Sequence, residues 1–275
     1  MDNTKKAFQV NLDEILRTKA PKIYRKIPRF VIRLLEKIID QKQLNHYFAL
    51  CEGLTGVDFM DKSIHNFELN ILLKGVENLP AIDHPCVFAS NHPLGGLDGI
   101  VLSGILGKHY EGKIRYLVND ILYFIDPLKD IFVPINKHGS QGKAAVIQLN
   151  EAFVSENQII TFPAGLCSRK KKGVIRDPEW KKNFVTKAVE YHRDIVPVYF
   201  EAKNSNFFYA LCNIRKFFKI KFNIEMLFLP REMIKAKQST FTIHFGKPIA
   251  WQTFDSSKTM QQWAKTIENE VYRAH

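Results

Sequence analysis

"CVFASNHPLGGLDGIVLSGIL", residues 86–106, is the stretch on which the fold turns. "CVFAS" is a short apolar run of the length a buried strand takes, and the apolar residues after Asp98 continue at helical length. Between the two, Gly95 and Gly96 permit a tight turn. A strand that feeds a helix through a glycine turn is the repeating unit of α/β folds. In such sheets ligands gather beyond the carboxyl ends of strands, near helix N-termini. The turn itself carries His92 and Asp98, so the fold-determining unit also holds the most chemically capable pair in its neighbourhood.

Working outward, the same alternation continues on both sides. Strands are expected in "ELNILLKG", "CVFAS", "IRYLV", "DIFVPIN", "QIITFP", "IVPVYFEA" and "FTIHFG". Helices are expected over parts of 98–108, 119–127, 141–154, 178–192, 205–219 and 257–273. The implied class is α/β, with a mixed, largely parallel sheet flanked by helices. Residues 1–65 show few strand signals and read as an N-terminal helical segment; 66–275 read as the α/β domain. Within the first segment, "KIPRFVIRLLEKIIDQ" sets Ile27, Val31, Leu34, Leu35, Ile38 and Ile39 on one side. Arg29, Arg33, Glu36 and Lys37 fall largely on the other. That stripe suits either packing on a core or lying in a membrane interface.

Composition narrows the partners. A chain of 275 residues with 45% apolar content can bury a sizeable core. Its formal charge of +12 favours an anionic partner. Cys51, Cys86, Cys167 and Cys212 are scattered without C-x-x-C spacing, which suits reduced thiols, not a disulfide framework or zinc site. No metal is expected. "MDNTKKAFQVNLDEI" is a poor signal peptide, and no apolar run approaches transmembrane length. A cytoplasmic protein lying on a membrane surface fits these features. Basic charge alone also permits nucleic-acid binding, but no zinc spacing, RNP-like signature or helix-turn-helix accompanies it, so no nucleic-acid partner is expected.

Two stretches can carry chemistry. His92 titrates near neutral pH and can accept a proton from a hydroxyl or amine. Asp98 can fix its tautomer and stabilise the imidazolium, although Asp98 also stands where a helix N-cap is expected. In "ITFPAGLCSRKKKG", Pro163 ends a strand, and Ala164 and Gly165 allow close backbone approach. Ser168, Arg169 and Lys170 to Lys172 then supply donors and charge suited to an anionic group.

Taken together, the "NH" pair at a strand end, the following Asp, the later "FPxG" turn with an Arg, and the "VPV" strand resemble the lysophospholipid acyltransferase superfamily. The similarity covers roughly residues 66–250 and extends to the PlsC-type enzymes. It implies a glycerol-3-phosphate acyltransferase-like fold, with His92 as general base and Asp98 as its orienting carboxylate. Substrate contacts are implied for Asn91, Gly95, Gly96, Phe162, Pro163, Gly165, Ser168 and Arg169. Asn136 and Lys137 would take the place of the family's phosphate-binding arginine. Five residues separate His92 from Asp98, one more than the family's usual four. Ala164 stands where "FPEG" has glutamate. These departures are similar to the branch with "HPxGGxDG" and "FPAGxxSR", associated with haemolysin-like labels and with acylation of bacterial aminolipids. "GVIRDPEW" and "NSNFFY" match that branch too.

The implied reaction is O-acyl transfer from an acyl thioester, of acyl carrier protein or coenzyme A, to the hydroxyl of a lyso-lipid. No further cofactor is expected. Lys170, Lys171, Lys172, Arg176, Lys181 and Lys182 form a basic neighbourhood that could receive the anionic donor. "NIRKFFKIKFNIEM" could dock on anionic lipid or serve as a basic core element. The competing readings are 1-acylglycerol-3-phosphate acylation and a non-enzymatic lipid- or nucleic-acid-binding protein. Oligomeric state is not legible.

Overall fold

The strand at the centre of the opening stretch is buried on both faces. Val87 and Ala89 belong to one hydrophobic cluster, Cys86 and Phe88 to another. This is the period of two that a strand imposes, and full burial on both sides marks the interior of a sheet covered by helices. The computed structural model describes residues 8–19, 21–135 and 142–273.

The N-terminal part supplies α1 (Leu12–Lys19), α2 (Pro21–Tyr24), α3 (Arg29–Ile38), α4 (Gln41–Ala49) and α5 (Gly56–Asn66). Then follow β1 (Asn70–Lys74), β2 (Val87–Ser90), α6 (Leu97–His109), β3 (Ile114–Asn119), β4 (Phe132–Ile135), α7 (Lys143–Val154) and β5 (Gln158–Thr161). A hairpin, β6 (Arg169–Lys171) and β7 (Val174–Arg176), precedes α8 (Asn183–Glu190) and β8 (Ile195–Glu201). The chain closes with α9 (Asn206–Phe217), α10 (Leu229–Lys235), β9 (Thr240–Phe245) and α11 (Met260–Arg273).

Among the described residues the main sheet has seven strands in the order β1-β9-β8-β2-β5-β3-β4. Every neighbouring pair is parallel except β8 with β9. The sheet is therefore mixed and largely parallel, as the sequence implies. One face packs on α5 and α6 through Phe59, Met60, Ile64, Val101, Leu102 and Leu106. The other packs on α7, α8 and α11 through Phe153, Phe184, Val185, Trp263 and Ile267. At the middle, β2 lies between β5 and β8, and all three run in the same direction. The loops leaving their carboxyl ends thus meet at one rim.

Three local expectations need correction. Residues 119–127 form 3₁₀ turns (Asp120–Phe124 and Asp126–Leu128) in place of an α-helix, because Pro127 and the tight return into β4 leave no room for a longer one. In α3, Ile32 is buried while Leu34 is exposed, so the packed face is rotated from the apolar stripe read in the sequence. Asp98 is not the cap of α6. Gly96 occupies that position, and Asp98 lies inside the first turn.

Candidate active site

His92 and Asp98 face each other across the glycine turn. His92 Nδ1 lies 3.0 Å from Asp98 Oδ2. Asp98 is completely buried, which would be costly for an unpaired carboxylate. It is fully engaged instead. Its Oδ2 also accepts from the backbone N–H groups of Leu94 (2.9 Å) and Gly95 (3.2 Å), and its Oδ1 from that of Gly99 (2.9 Å). Gly95 makes this wrap possible. Its φ of +79° lies in the left-handed region, and a Cβ there would come within 2.8 Å of Leu229 and 3.1 Å of Cys167. The five residues between His92 and Asp98 are thereby looped out so that the side chains still meet. An ionised carboxylate only accepts, so the shared proton sits on Nδ1 and Nε2 keeps its lone pair.

The second motif joins the first directly. The His92 ring stacks on Phe162 with centroids 4.1 Å apart. The N–H of Ser168 donates to the carbonyl of His92 at 2.8 Å. Gly165, with φ of +63°, closes the FPAG turn through its N–H to the carbonyl of Phe162 at 2.9 Å. Apart from its own chain neighbours, Gly96 has nothing within 4 Å of where a Cβ would stand, so the space beside the helix start is open.

Behind the pair lies Asp177, a residue that the spacing of the motifs did not single out. The backbone N–H of His92 donates to both of its oxygens (3.2 and 3.0 Å). Ser168 Oγ donates to it at 2.5 Å and Trp180 Nε1 at 3.0 Å. Its own N–H donates to the Tyr272 hydroxyl at 2.9 Å. One buried carboxylate therefore fixes the backbone of the base and the FPAG corner together. Burial raises its pKa, against the lowering effect of the hydrogen bonds from Ser168, Trp180 and the His92 backbone. The only sequence signal for it was its place in "GVIRDPEW".

Other expected contacts have structural employment. Asn91 gives both amide atoms to β8: Nδ2 donates to the carbonyl of Phe200 (3.0 Å) and Oδ1 accepts from its N–H (2.6 Å). Pro163 offers its carbonyl to the N–H of Lys181 at 3.0 Å. Arg169 turns inward: its guanidinium meets the Cys167 carbonyl (2.9 Å) and Glu225 (3.0 Å). Glu225 in turn pairs with Arg215 at 2.8 Å. Arg176 is likewise engaged, by Glu268 at 2.9 Å and Asn269 at 2.7 Å. Cys167 is fully buried, and desolvation pushes its thiol up to about 12, so it is no accessible thiolate. Asn136 and Lys137 lie outside the described residues. No cluster able to hold a metal ion occurs among the described residues.

A general base on a carboxylate, set against an open rim, suits proton removal from a hydroxyl that attacks an acyl group. Comparison with known proteins agrees with that chemistry. The family profile described as Acyltransferase matches residues 14–273. The chain is 50% identical over 266 residues to the lyso-glycine lipid O-acyltransferase of Phocaeicola vulgatus, covering 97% of this chain and 95% of that protein. It is 49% identical to the lyso-glycine lipid O-acyltransferase of Bacteroides thetaiotaomicron, covering 97% of both. Among solved structures it is similar to the 1-acyl-sn-glycerophosphate (LPA) acyltransferase PlsC from Thermotoga maritima, at 15% identity and a TM-score of 0.48, covering 89% of this chain and 88% of that one. With nearly its whole length matched in this way, the chain belongs to the acyltransferase family and is an enzyme that transfers acyl groups.

Proposed function

We propose that the protein moves a fatty acyl group from an acyl thioester, of acyl carrier protein or coenzyme A, to the hydroxyl of a lyso-aminolipid of the glycine-lipid type. The observation that carries the chemistry is the His92–Asp98 contact at 3.0 Å, stacked on Phe162 at the shared strand rim. The acceptor class rests on the names of the two half-identical relatives.

The step balances without a covalent enzyme intermediate. His92 Nε2 takes the acceptor's hydroxyl proton as its oxygen attacks the thioester carbonyl. The imidazolium is stabilised through Nδ1 by Asp98. Collapse breaks the C–S bond, and the departing thiolate takes the proton back from His92. General-base assistance contributes about 10²–10⁴-fold, and positioning supplies much of the remainder. The thioester is a co-substrate, and the mechanism calls on no resident cofactor. Arg169 supports a phosphate-free acceptor, because its guanidinium is already occupied by Glu225 and the Cys167 carbonyl. No helix among the described residues is long and apolar enough to cross a membrane. We place the enzyme peripherally, on the cytoplasmic face of the inner membrane, where lyso-lipid and thioester donor meet.

The test presents the enzyme with lyso-lipids with and without a phosphate headgroup, each with acyl carrier protein and coenzyme A thioesters, and reads products by lipid mass spectrometry. Acylation of the lyso-glycine lipid is expected, falling by about 10²-fold or more in His92→Ala at unchanged thermal stability. Preference for lysophosphatidate would overturn the acceptor, and full turnover by His92→Ala would overturn the mechanism.

A further inference from the structure

The helix α9 is apolar on two opposite faces, but only one of them is covered. Phe208, Tyr209 and Cys212 are buried in a cluster with Cys167, behind the FPAG corner. On the other side, Phe207 and Ile214 share a stripe at helical spacing that continues into Phe217, Phe218, Ile220 and Phe222. All six are exposed, Phe217 at 81% and Phe222 at 63%. Water-facing phenylalanines in this concentration are unusual for a surface that meets only solvent. Residues 206–222 contain Arg215, Lys216, Lys219 and Lys221 and no carboxylate. The 3₁₀ turn Ile224–Phe228 touches both α9 and α3, and α3 exposes Phe30 and Leu34 beside Arg29 and Arg33.

The tip is a built feature. Lys219, at φ of +53°, ends α9, and the N–H of Ile220 returns to the carbonyl of Arg215 at 3.0 Å. Arg215 Nη1 donates to the Ile220 carbonyl at 2.8 Å. Arg215 also pairs with Glu225, which holds Arg169. At the other end, Asn204 Nδ2, just before α9, donates to the carbonyl of Pro93 at 3.0 Å, next to His92. The exposed face is thus tied at both ends to the catalytic rim.

We infer that this face, the outer side of α9 with the tip Phe217–Phe222, is the surface by which the enzyme docks on an anionic lipid bilayer. The phenylalanines enter the acyl–headgroup boundary while the lysines meet anionic headgroups. Large apolar residues interleaved with lysine and free of carboxylates match that boundary in both polarity and charge. The inference deepens the proposed function, since a lipid acceptor is met at a bilayer.

The test is flotation of the full chain with phosphatidylcholine vesicles and with phosphatidylcholine vesicles containing phosphatidylglycerol. Turnover on acceptor dispersed in detergent micelles is measured in parallel, with circular dichroism as the check on folding. The wild type is expected to float with the anionic vesicles and to release with salt. Combined Phe217→Ser, Phe218→Ser and Phe222→Ser should weaken flotation about tenfold or more, and combined Lys216→Glu, Lys219→Glu and Lys221→Glu should remove the preference for phosphatidylglycerol. Micellar turnover should stay unchanged in both. A wild type that does not float, or a serine variant that floats equally well, overturns the inference. So does a concentration-dependent dimer that the serine variant dissolves without altered flotation, which would assign the face to a second copy. Loss of micellar turnover in the wild type would count against the proposed function alone and leave the flotation result standing.

Discussion

At the scale of single residues, the proposed chemistry calls on two buried carboxylates with different duties. Asp98 touches the imidazole, whereas Asp177 touches only the backbone of His92 and acts by position. Asp177→Asn should keep the fold but lower kcat, because one face of the amide donates where His92 N–H and Ser168 Oγ need an acceptor. The loss of a hydrogen bond to a buried donor costs about 1–3 kcal/mol of stability. The pH dependence separates this role from generic damage. Burial places the folded Asp177 pKa above its unfolded value. The folded state therefore holds the proton more tightly, and the stability difference between wild type and Asp177→Asn shrinks as pH rises from the ordinary carboxylate range through the raised folded value. Thermal melts of both proteins across acid pH read this directly, and parallel curves would refute it. Cys167 gives the opposite expectation. With its thiol pushed up to about 12, Cys167→Ala should keep near-normal turnover, and mass spectrometry of the enzyme mixed with donor should find no acyl-cysteine. The pair His92 and Asp98 was legible in sequence because six positions connect them. Asp177 was not, because 85 positions separate it from His92 and only the folded sheet closes that gap.

At the scale of elements, α6 carries Asp98 at one end and leans on α5 at the other. A Cβ on Gly107 would stand 2.5 and 2.6 Å from the two methyls of Val57 and 3.1 Å from its Cβ. A β-branched side chain has little freedom to swing away. Gly107→Ala should therefore destabilise by about 1–3 kcal/mol in urea denaturation, while the folded enzyme keeps its turnover because Gly107 lies at the far end of α6. All seven strands of the main sheet were readable as apolar runs, although burial on both faces belongs to the central β2, β5 and most of β8, while the edge strand β1 is largely exposed. The β6–β7 hairpin was not. "RKK" and "VIR" are three-residue strands, too short to show a period of two, so the sequence offers them only as part of the basic neighbourhood after the FPAG turn. Their turn is set by Lys172 and Gly173, both at positive φ, the geometry that a two-residue hairpin loop requires. The α10 helix, seven residues long, is too short to show a helical period.

At the scale of the whole molecule, what the excess of positive charge can do depends on where it is displayed. The hairpin sets Lys171 and Lys172 in solvent, and Lys181 and Lys182 are exposed at the start of α8. Both groups flank the Phe162–Ser168 corner, which packs against His92. Arg176, which the sequence places in the same basic group, is spent on Glu268 and Asn269, so the free charge is lysine. The proposed donor, an acyl thioester of acyl carrier protein or coenzyme A, is anionic, and a field of this kind would raise its encounter rate without altering the chemical step. Two consequences can be separated. Raising salt from low to physiological strength should raise KM for the donor and leave kcat unchanged, because surface charges are screened within roughly 8–10 Å while the buried His92–Asp98 pair is not. Combined Lys171→Glu and Lys172→Glu should raise the donor KM about tenfold at low salt, with the gap to wild type closing as salt is added. Steady-state kinetics at several ionic strengths check both. A donor KM indifferent to salt and to these substitutions would move the donor's entry away from the hairpin.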